Sequence, residues 1–536
     1  MNDTTFFSTD PLIGAHLNHY RQTLNLGKPV FLSQFVDTYL QMKPLLHSLA
    51  GSNDFDLPAF RYAVTRLPES TYKIKKIFIG QNISDLEKYA VKTSRQYLVG
   101  TPNRRRIMYY DDSNQVLGCL INSDSDIDDL INLLLIYLIE IRKIKINLNN
   151  IEENKELPAL FSSQWSELLA YLSANNFDPE IQLLPLNQAA FTANCHLWWQ
   201  NQISSSLYLN LNQTPVYFVS SNSHSLVNIV GGFINQKQNY LFDYIAHHHP
   251  DIYTQWFNSK TEHNRYQNND FLYYLSNVFL KNKPEYFQEK LLYEKSLGVV
   301  EINNLGNFPI NIQIIPIKAM ALSPALDSNL KIKDRQKLLA NPAVIVNVEY
   351  PLGIAAKYLL EEIINYFFNL KGVYIIGKAA ILNGTTGDIQ IPEIVSDEIS
   401  NNIIKFPNIF NQFFPYTANV SHVFSHQKAV CVYGTLLENQ NQINNYLQTG
   451  FNIIEMELSH YLSVLVQHFL LKNQPLSRGT YYHLDQLPVD LGVIYYASDN
   501  PLTKNLGHET IEFQNIETTY LPSLTILQRI IDLETS

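Results

Sequence analysis

Ionic side chains are scarce in this sequence. Asp, Glu, Lys and Arg make up 16% of its 536 residues, against about a quarter in an ordinary globular chain. The net charge is -10, and no basic stripe marks the chain, so nucleic acid is not an expected partner. The one dense basic run, Arg104-Arg105-Arg106, reads as the solvated start of a strand.

Cysteine is scarcer still. Cys119, Cys195 and Cys431 are spaced like neither a metal knuckle nor a disulfide framework, which points to a reducing, cytoplasmic setting. Long apolar runs are lacking too. The longest, Leu130 to Ile141, has twelve residues and ends in RKIK, short of the roughly 20 that a bilayer needs. It reads as a buried helix, and no membrane is expected. The opening MNDTTFFSTDPLIG has no basic segment followed by an apolar one, so no signal peptide is expected.

Metal ligation finds little support. His247, His248 and His249 are adjacent in AHHHPD and cannot all point to one ion. Asp124, Asp126, Asp128 and Asp129 cluster like a calcium loop but lack its glycine and its distal glutamate. They read as capping residues at the start of a helix. No metal and no cofactor is expected.

What the chain does have is apolar patterning on 46% hydrophobic residues, enough for two to four domains at about 150 residues each. Residues 1–205 read as an α+β domain with a hairpin, RRRIMYYDD and VLGCLIN around SNQ. The Asn-rich stretch 146–160 reads as a linker or surface loop. From 214 onward strands alternate with helices: TPVYFVSS, PAVIVNVEY, GVYIIGKAAI, HQKAVCVYG, GFNIIEM and LGVIYYASD are the strands. SLGVVEINN and NFPINIQIIPI read as a second hairpin, and 240–295 as a helical insertion. A fully apolar strand after a strand and a helix predicts a parallel sheet covered on both faces. The expected fold is therefore α/β, a mixed, mostly parallel sheet flanked by helices over 214–536, with a separate N-terminal α+β domain.

Four stretches carry a resemblance. VEYPLGIAAKYLLEEI has a glycine turn, an Ala-Ala pair and a helix; YIIGKAAILNGTTGDIQIP is a strand with a glycine turn and a following Gly-Asp-Ile. IIEMELSHYLSVL holds a Glu-Met-Glu strand-helix junction, and IYYASDNP a strand ending in Ser-Asp. In this order they resemble the nucleoside phosphorylase superfamily, which includes purine nucleoside and uridine phosphorylases and methylthioadenosine nucleosidase. The resemblance covers about 60% of the chain and leaves residues 1–205 without a counterpart.

The resemblance implies cleavage of an N-glycosidic bond in a small-molecule nucleoside, with inorganic phosphate as an optional co-substrate and a homo-oligomer admitted. It places Glu457 on the ribose hydroxyls and Met456 against the sugar, with Glu455 beside them. A carboxylate suits that task because it only accepts hydrogen bonds; its alternative use is to cap the helix that follows. Asp499 becomes the acid that protonates the leaving base, oriented by Ser498; the alternative is a simple turn. The superfamily's phosphate arginines are missing. His224 stands where one would fall, or where the nucleosidase's glutamate would. Ile375 takes the other arginine's place, and Lys378 follows Gly377 where a Ser or Thr is usual. Lys378 beside Ser220, Ser221 and Ser223 makes an alternative anion pocket; otherwise Lys378 pairs with a structural carboxylate. A module that senses a nucleoside or nucleotide without cleaving it is the second expectation.

Overall fold

In this computed structural model residues 9–101, 104–146, 165–205, 211–259, 265–302, 308–416, 422–503 and 518–536, with Pro158 and Phe161, are described. The expected linker therefore falls almost wholly outside the described residues, as does the turn of the second hairpin at 303–307.

Six strands of the first half form one sheet: β1 Val30–Phe31, β2 Lys76–Gly80, β3 Leu98–Thr101, β4 Arg104–Asp111, β5 Val116–Leu120 and β6 Glu180–Leu183, in the order β1-β6-β2-β5-β4-β3. β4 and β5 are the antiparallel hairpin read from the sequence. Its turn closes through Gln115 at a φ of 56°. The apolar run lies in helix Asp124–Ile146, buried along nearly all its length.

Among the described residues eleven strands form the second sheet. They are β7 Val216–Ser221, β8 Val300–Ile302, β9 Ile312–Pro316, β10 Val344–Glu349, β11 Leu370–Ile381, β12 Ile389–Asp397, β13 Ile403–Lys405, β14 Val423–Cys431, β15 Ile453–Glu455, β16 Tyr481–His483 and β17 Asp490–Asp499. Between β7 and β8 run the helices Gln238–His248, Pro250–Ser259, Arg265–Asn282 and Pro284–Ser296.

Two features of this sheet position the site. The run β10-β7-β11-β17 is parallel throughout. Its strands are almost entirely buried, as expected for strands covered on both faces. Beyond it, β11 pairs with β15, β15 with β14, β14 with β12, β12 with β17, and β17 with β11 again. Five strands thus close into a ring. Among the described residues the sheet has six parallel and five antiparallel pairings. It is mixed, with parallel pairings a bare majority: β11–β15 and β12–β17 are antiparallel within the ring, and β8–β9, β9–β10 and β12–β13 outside it.

Among the described residues no strand of one sheet pairs with a strand of the other, yet one apolar cluster passes through both. It includes Leu17, Leu133 and Trp199 from the first half with Phe218, Leu359 and Tyr461 from the second. The division near 205–214 is a change of sheet, not of core. Among the described residues no helix is long and apolar enough to cross a membrane, and the three cysteines are buried and free.

Candidate functional site

A cavity of about 230 Å³ opens over the second half of β11. Ser220 at the end of β7, residues 350–352 just after β10, and Ser498 and Asp499 at the end of β17 surround it. The carboxyl ends of parallel strands are where α/β sheets bind ligands, since side chains and loops diverge there. Glu455, Met456 and Glu457 border the same cavity, as do Gly377 and Lys378. Of the residues singled out from the sequence for this site, Ser221, Ser223 and His224 do not border this cavity.

Glu455 and Glu457 divide two tasks. Oε2 of Glu455 accepts the backbone N–H groups of Glu457 (2.7 Å) and Leu458 (2.6 Å) and the hydroxyl of Tyr495 (3.0 Å). The capping carboxylate of helix Leu458–Leu465 is therefore Glu455. Glu457 occupies the N-cap position but makes no side-chain capping bond. Its Oε1 instead accepts the N–H of Gly353 at 2.9 Å. Burial raises the pKa of both carboxyls, and at Glu455 the neighbouring Glu457 adds to the rise. Two backbone N–H groups and, more weakly, Arg104 oppose the rise at Glu457.

Gly353 and Gly377 serve close approach. Gly353 has a φ of +55°, and a Cβ there would lie 2.2 Å from Ser125 Oγ. A Cβ on Gly377 would lie 2.0 Å from the Tyr495 ring, the same tyrosine whose hydroxyl reaches Glu455. Gly377 thus borders the cavity while its bareness is used by Tyr495.

Asp499 accepts a hydrogen bond from Ser498 Oγ on Oδ2 at 2.7 Å. Its Oδ1 is buried and has no partner among the described residues. Buried polar atoms are nearly always bonded, so an acceptor left over at a cavity wall marks a place for a donor from outside the chain. Ser498 Oγ also lies 3.1 Å from the Ala379 carbonyl oxygen, the alternative acceptor for its single hydroxyl proton, so the pair sits against β11.

The anion pocket expected around Ser220, Ser221 and Ser223 does not assemble as such. Ser220 is tied to the Tyr461 hydroxyl at 3.0 Å, and Ser221 turns into the core onto Asn347 Oδ1 at 2.7 Å. Ser223 and His224 border an adjoining cavity of about 540 Å³, which Lys378 also lines. His224 Nδ1 meets Asn277 Nδ2 at 3.0 Å, and burial pushes its pKa down to about 4. It is a neutral histidine. Lys378 is exposed and has no hydrogen-bond or ion-pair partner among the described residues.

A whole wall of the site comes from residues that no sequence motif marked. Tyr62, Arg66 and Arg104, from the first half, line the first cavity. Arg104 donates from Nε and Nη2 to Asp129 at 3.0 and 2.9 Å. Arg106 pairs with Asp126 and Asp129 at 3.2 and 3.0 Å. Only Arg105 of the run is exposed: strand alternation sends Arg104 and Arg106 to the other face, where the acidic run meets them. Asp126 and Asp129 act as ion-pair partners rather than as caps alone, with Asp126 also accepting the Asn122 N–H at 2.8 Å. Burial would raise the Asp129 carboxyl, but Arg104 and Arg106 hold it well below its ordinary range. An Arg-x-Arg strand followed by Asp residues three apart on a helix was the available signal.

The chain belongs to the family of unknown function DUF6909, whose model matches residues 32–159 and 150–532. No curated protein matches it. Among solved structures it is similar to the 5'-methylthioadenosine/S-adenosyl homocysteine nucleosidase of Campylobacter jejuni, at 12% identity and a TM-score of 0.30 over 44% of this chain and 92% of that one. The purine nucleoside phosphorylase of Toxoplasma gondii in complex with immucillin-H matches at 12% identity and a TM-score of 0.29, over 45% and 88%. The uridine phosphorylase of Schistosoma mansoni in complex with thymidine matches at 14% and 0.26, over 35% and 70%.

Proposed function

We propose that this chain cleaves the N-glycosidic bond of a nucleoside, with water or inorganic phosphate accepting the sugar and no resident cofactor. One observation carries the reading: Glu457 and Asp499, just beyond β15 and at the end of β17, border a single cavity, the first to act as a carboxylate and the second as a carboxylic acid. Glu457, steadied by Gly353, accepts the vicinal ribose hydroxyls, and Met456 packs on the sugar. As the glycosidic bond breaks, electrons move onto the base and positive charge grows on the sugar. Asp499, held by Ser498, delivers a proton to the departing base. The carboxylate of Glu457 faces the cationic sugar and favours that charge distribution.

A second reading, ligand sensing without cleavage, is favoured by His224. At the position where the resemblance implies an arginine or a general base, it is buried, neutral and engaged by Asn277 in the adjoining cavity. Incubation with adenosine, inosine, uridine and methylthioadenosine, with and without phosphate, separates the two. Release of free base is expected under at least one condition. Binding without release under every condition would leave only the sensor.

A further inference from the structure

The two cavities share a wall. Arg66, Arg104, Tyr350, Pro351, Leu352 and Lys378 border both. On the far side of that wall the second cavity is lined by five cations, Arg66, Arg104, Arg105, Arg106 and Lys378, and by two carboxylates, Asp126 and Glu349. In a chain of net charge -10 this lining runs against the overall trend, and a concave cationic surface concentrates anions.

The cations are also held in place. Arg104 and Arg106 are braced by Asp129, and Arg105 reaches Glu349 at 3.2 Å. Arg66 is buried at 4% exposure, its guanidinium 3.4 Å from the centre of the Tyr62 ring. Burial alone would raise the Tyr62 phenol, yet Arg66 and Arg104 outweigh it and lower its pKa. At Tyr62 the two guanidiniums therefore outweigh both burial and Asp129. Lys378 supplies the cation without a partner among the described residues. It is an exposed side chain on a strand whose neighbours Gly377 and Ala379 are buried.

The positions of the two arginines distinguish a phosphate carried by the ligand from a free one. Arg66 interacts electrostatically with Asp499, and Arg104 with Glu457. On the proposed function these carboxylates hold the base and the ribose hydroxyls. An attacking free phosphate must approach the sugar carbon from the face opposite the departing base. Cations beside the base and sugar anchors are misplaced for that task and suited to a substituent of the substrate.

We propose that the ligand is a nucleoside bearing a phosphomonoester, its nucleoside between Glu457 and Asp499 and its phosphate at the wall of Arg66, Arg104 and Lys378. This rests on the nucleoside reading and narrows its substrate class. It also gives the first half of the chain a direct part in binding, because two of the three cations come from it. Arginine forks and a mobile ammonium together match a tetrahedral dianion.

Calorimetric titration of the full chain with adenosine, inosine and uridine, and with their 5'-monophosphates, tests this. The monophosphate of the preferred nucleoside should bind about 10- to 100-fold more tightly, the range for hydrogen bonds to charged groups. That preference, read as the ratio of monophosphate to nucleoside affinity within each protein, should shrink in Lys378→Gln, a substitution at an exposed side chain, and in Arg66→Lys; a ratio unchanged from the parent's in both variants would overturn the assignment of these cations. If nucleosides bind and their monophosphates bind no better, the phosphate subsite is overturned and the nucleoside reading stands. If free phosphate raises nucleoside affinity to the monophosphate level, a separate phosphate is the occupant and the substrate-borne form is overturned. If neither nucleosides nor monophosphates bind, the nucleoside reading fails and takes this proposal with it.

Discussion

Gly353 donates its backbone N–H to Glu457 Oε1 at 2.9 Å while its Cα faces the Ser125 hydroxyl. The proposed sugar anchor is thus aimed by a glycine pressed against the first half of the chain. Gly353→Ala would bring a Cβ within 2.2 Å of Ser125 Oγ in a left-handed backbone. Strain and overpacking together should cost about 2 to 4 kcal/mol. Adding Ser125→Gly should recover the steric part only. Thermal unfolding of both variants checks this, and unchanged stability in Gly353→Ala would remove Gly353 from this role.

The two neighbouring glutamates should separate cleanly. Glu457→Gln is expected to weaken nucleoside binding by about 1.5 to 3 kcal/mol with little change in Tm. An equal affinity in the variant would end the sugar-anchor assignment.

Glu455→Ala should do the opposite. Its carboxylate holds two helix N–H groups and the Tyr495 hydroxyl, so its removal should lower stability by about 1 to 2 kcal/mol. Denaturant unfolding reads this directly; a change in affinity with no change in midpoint would reverse the two roles.

Asp499→Asn keeps size and much of the hydrogen bonding but removes the proton donor. Turnover should fall about 100- to 10,000-fold, with nucleoside affinity changed far less. Measuring affinity and base release together decides it. Turnover that survives in the variant would place the acid elsewhere.

Acid should expose His224. Its pKa lies near 4 in the folded chain, from an ordinary 6.5, so between those values the unfolded chain binds the extra proton. Its contribution is complete above about pH 6.5 and is lost as pH falls toward 4. Over that window the parent should lose on the order of 3 kcal/mol more than His224→Gln. Parallel unfolding curves at each pH would contradict the burial of a neutral imidazole.

Much of the second half was legible because its strands are buried on both faces and so appear as unbroken apolar runs. VYFVSS and GVYIIGKAAI are neighbours in one sheet, with Val373 opposite Phe218. Glu457 and Asp499 could be singled out only through the resemblance, carried by the Glu-Met-Glu and Ser-Asp motifs that close two of these strands. The assignment of the cap to Glu455 was not legible, since it depends on which way two nearby carboxylates turn. Nor was the wall of Tyr62, Arg66 and Arg104. Arg104 meets Asp129 across 25 residues of chain, and that partnership exists only once β4 packs against helix Asp124–Ile146. Read locally, three arginines in a row look wet. The ring of strands was equally hidden, because closure is a property of pairing and not of any one segment.

That ring has a mechanical consequence. β11 pairs with β7 along residues 370–375 in the open sheet and with β15 at residues 380 and 381 in the ring, with a register shift between Ala379 and Ala380. Gly377 and Lys378 lie where a flat ribbon rolls into a tube, clamped along one side by β17. Gly377 and Lys378 are thus held through β17 on one edge, between the end of the β7 pairing and the start of the β15 pairing. Among the described residues no strand pairing ties them to the ceiling that the first half of the chain lowers over the cavity, so that ceiling can adjust to a guest with the ring intact.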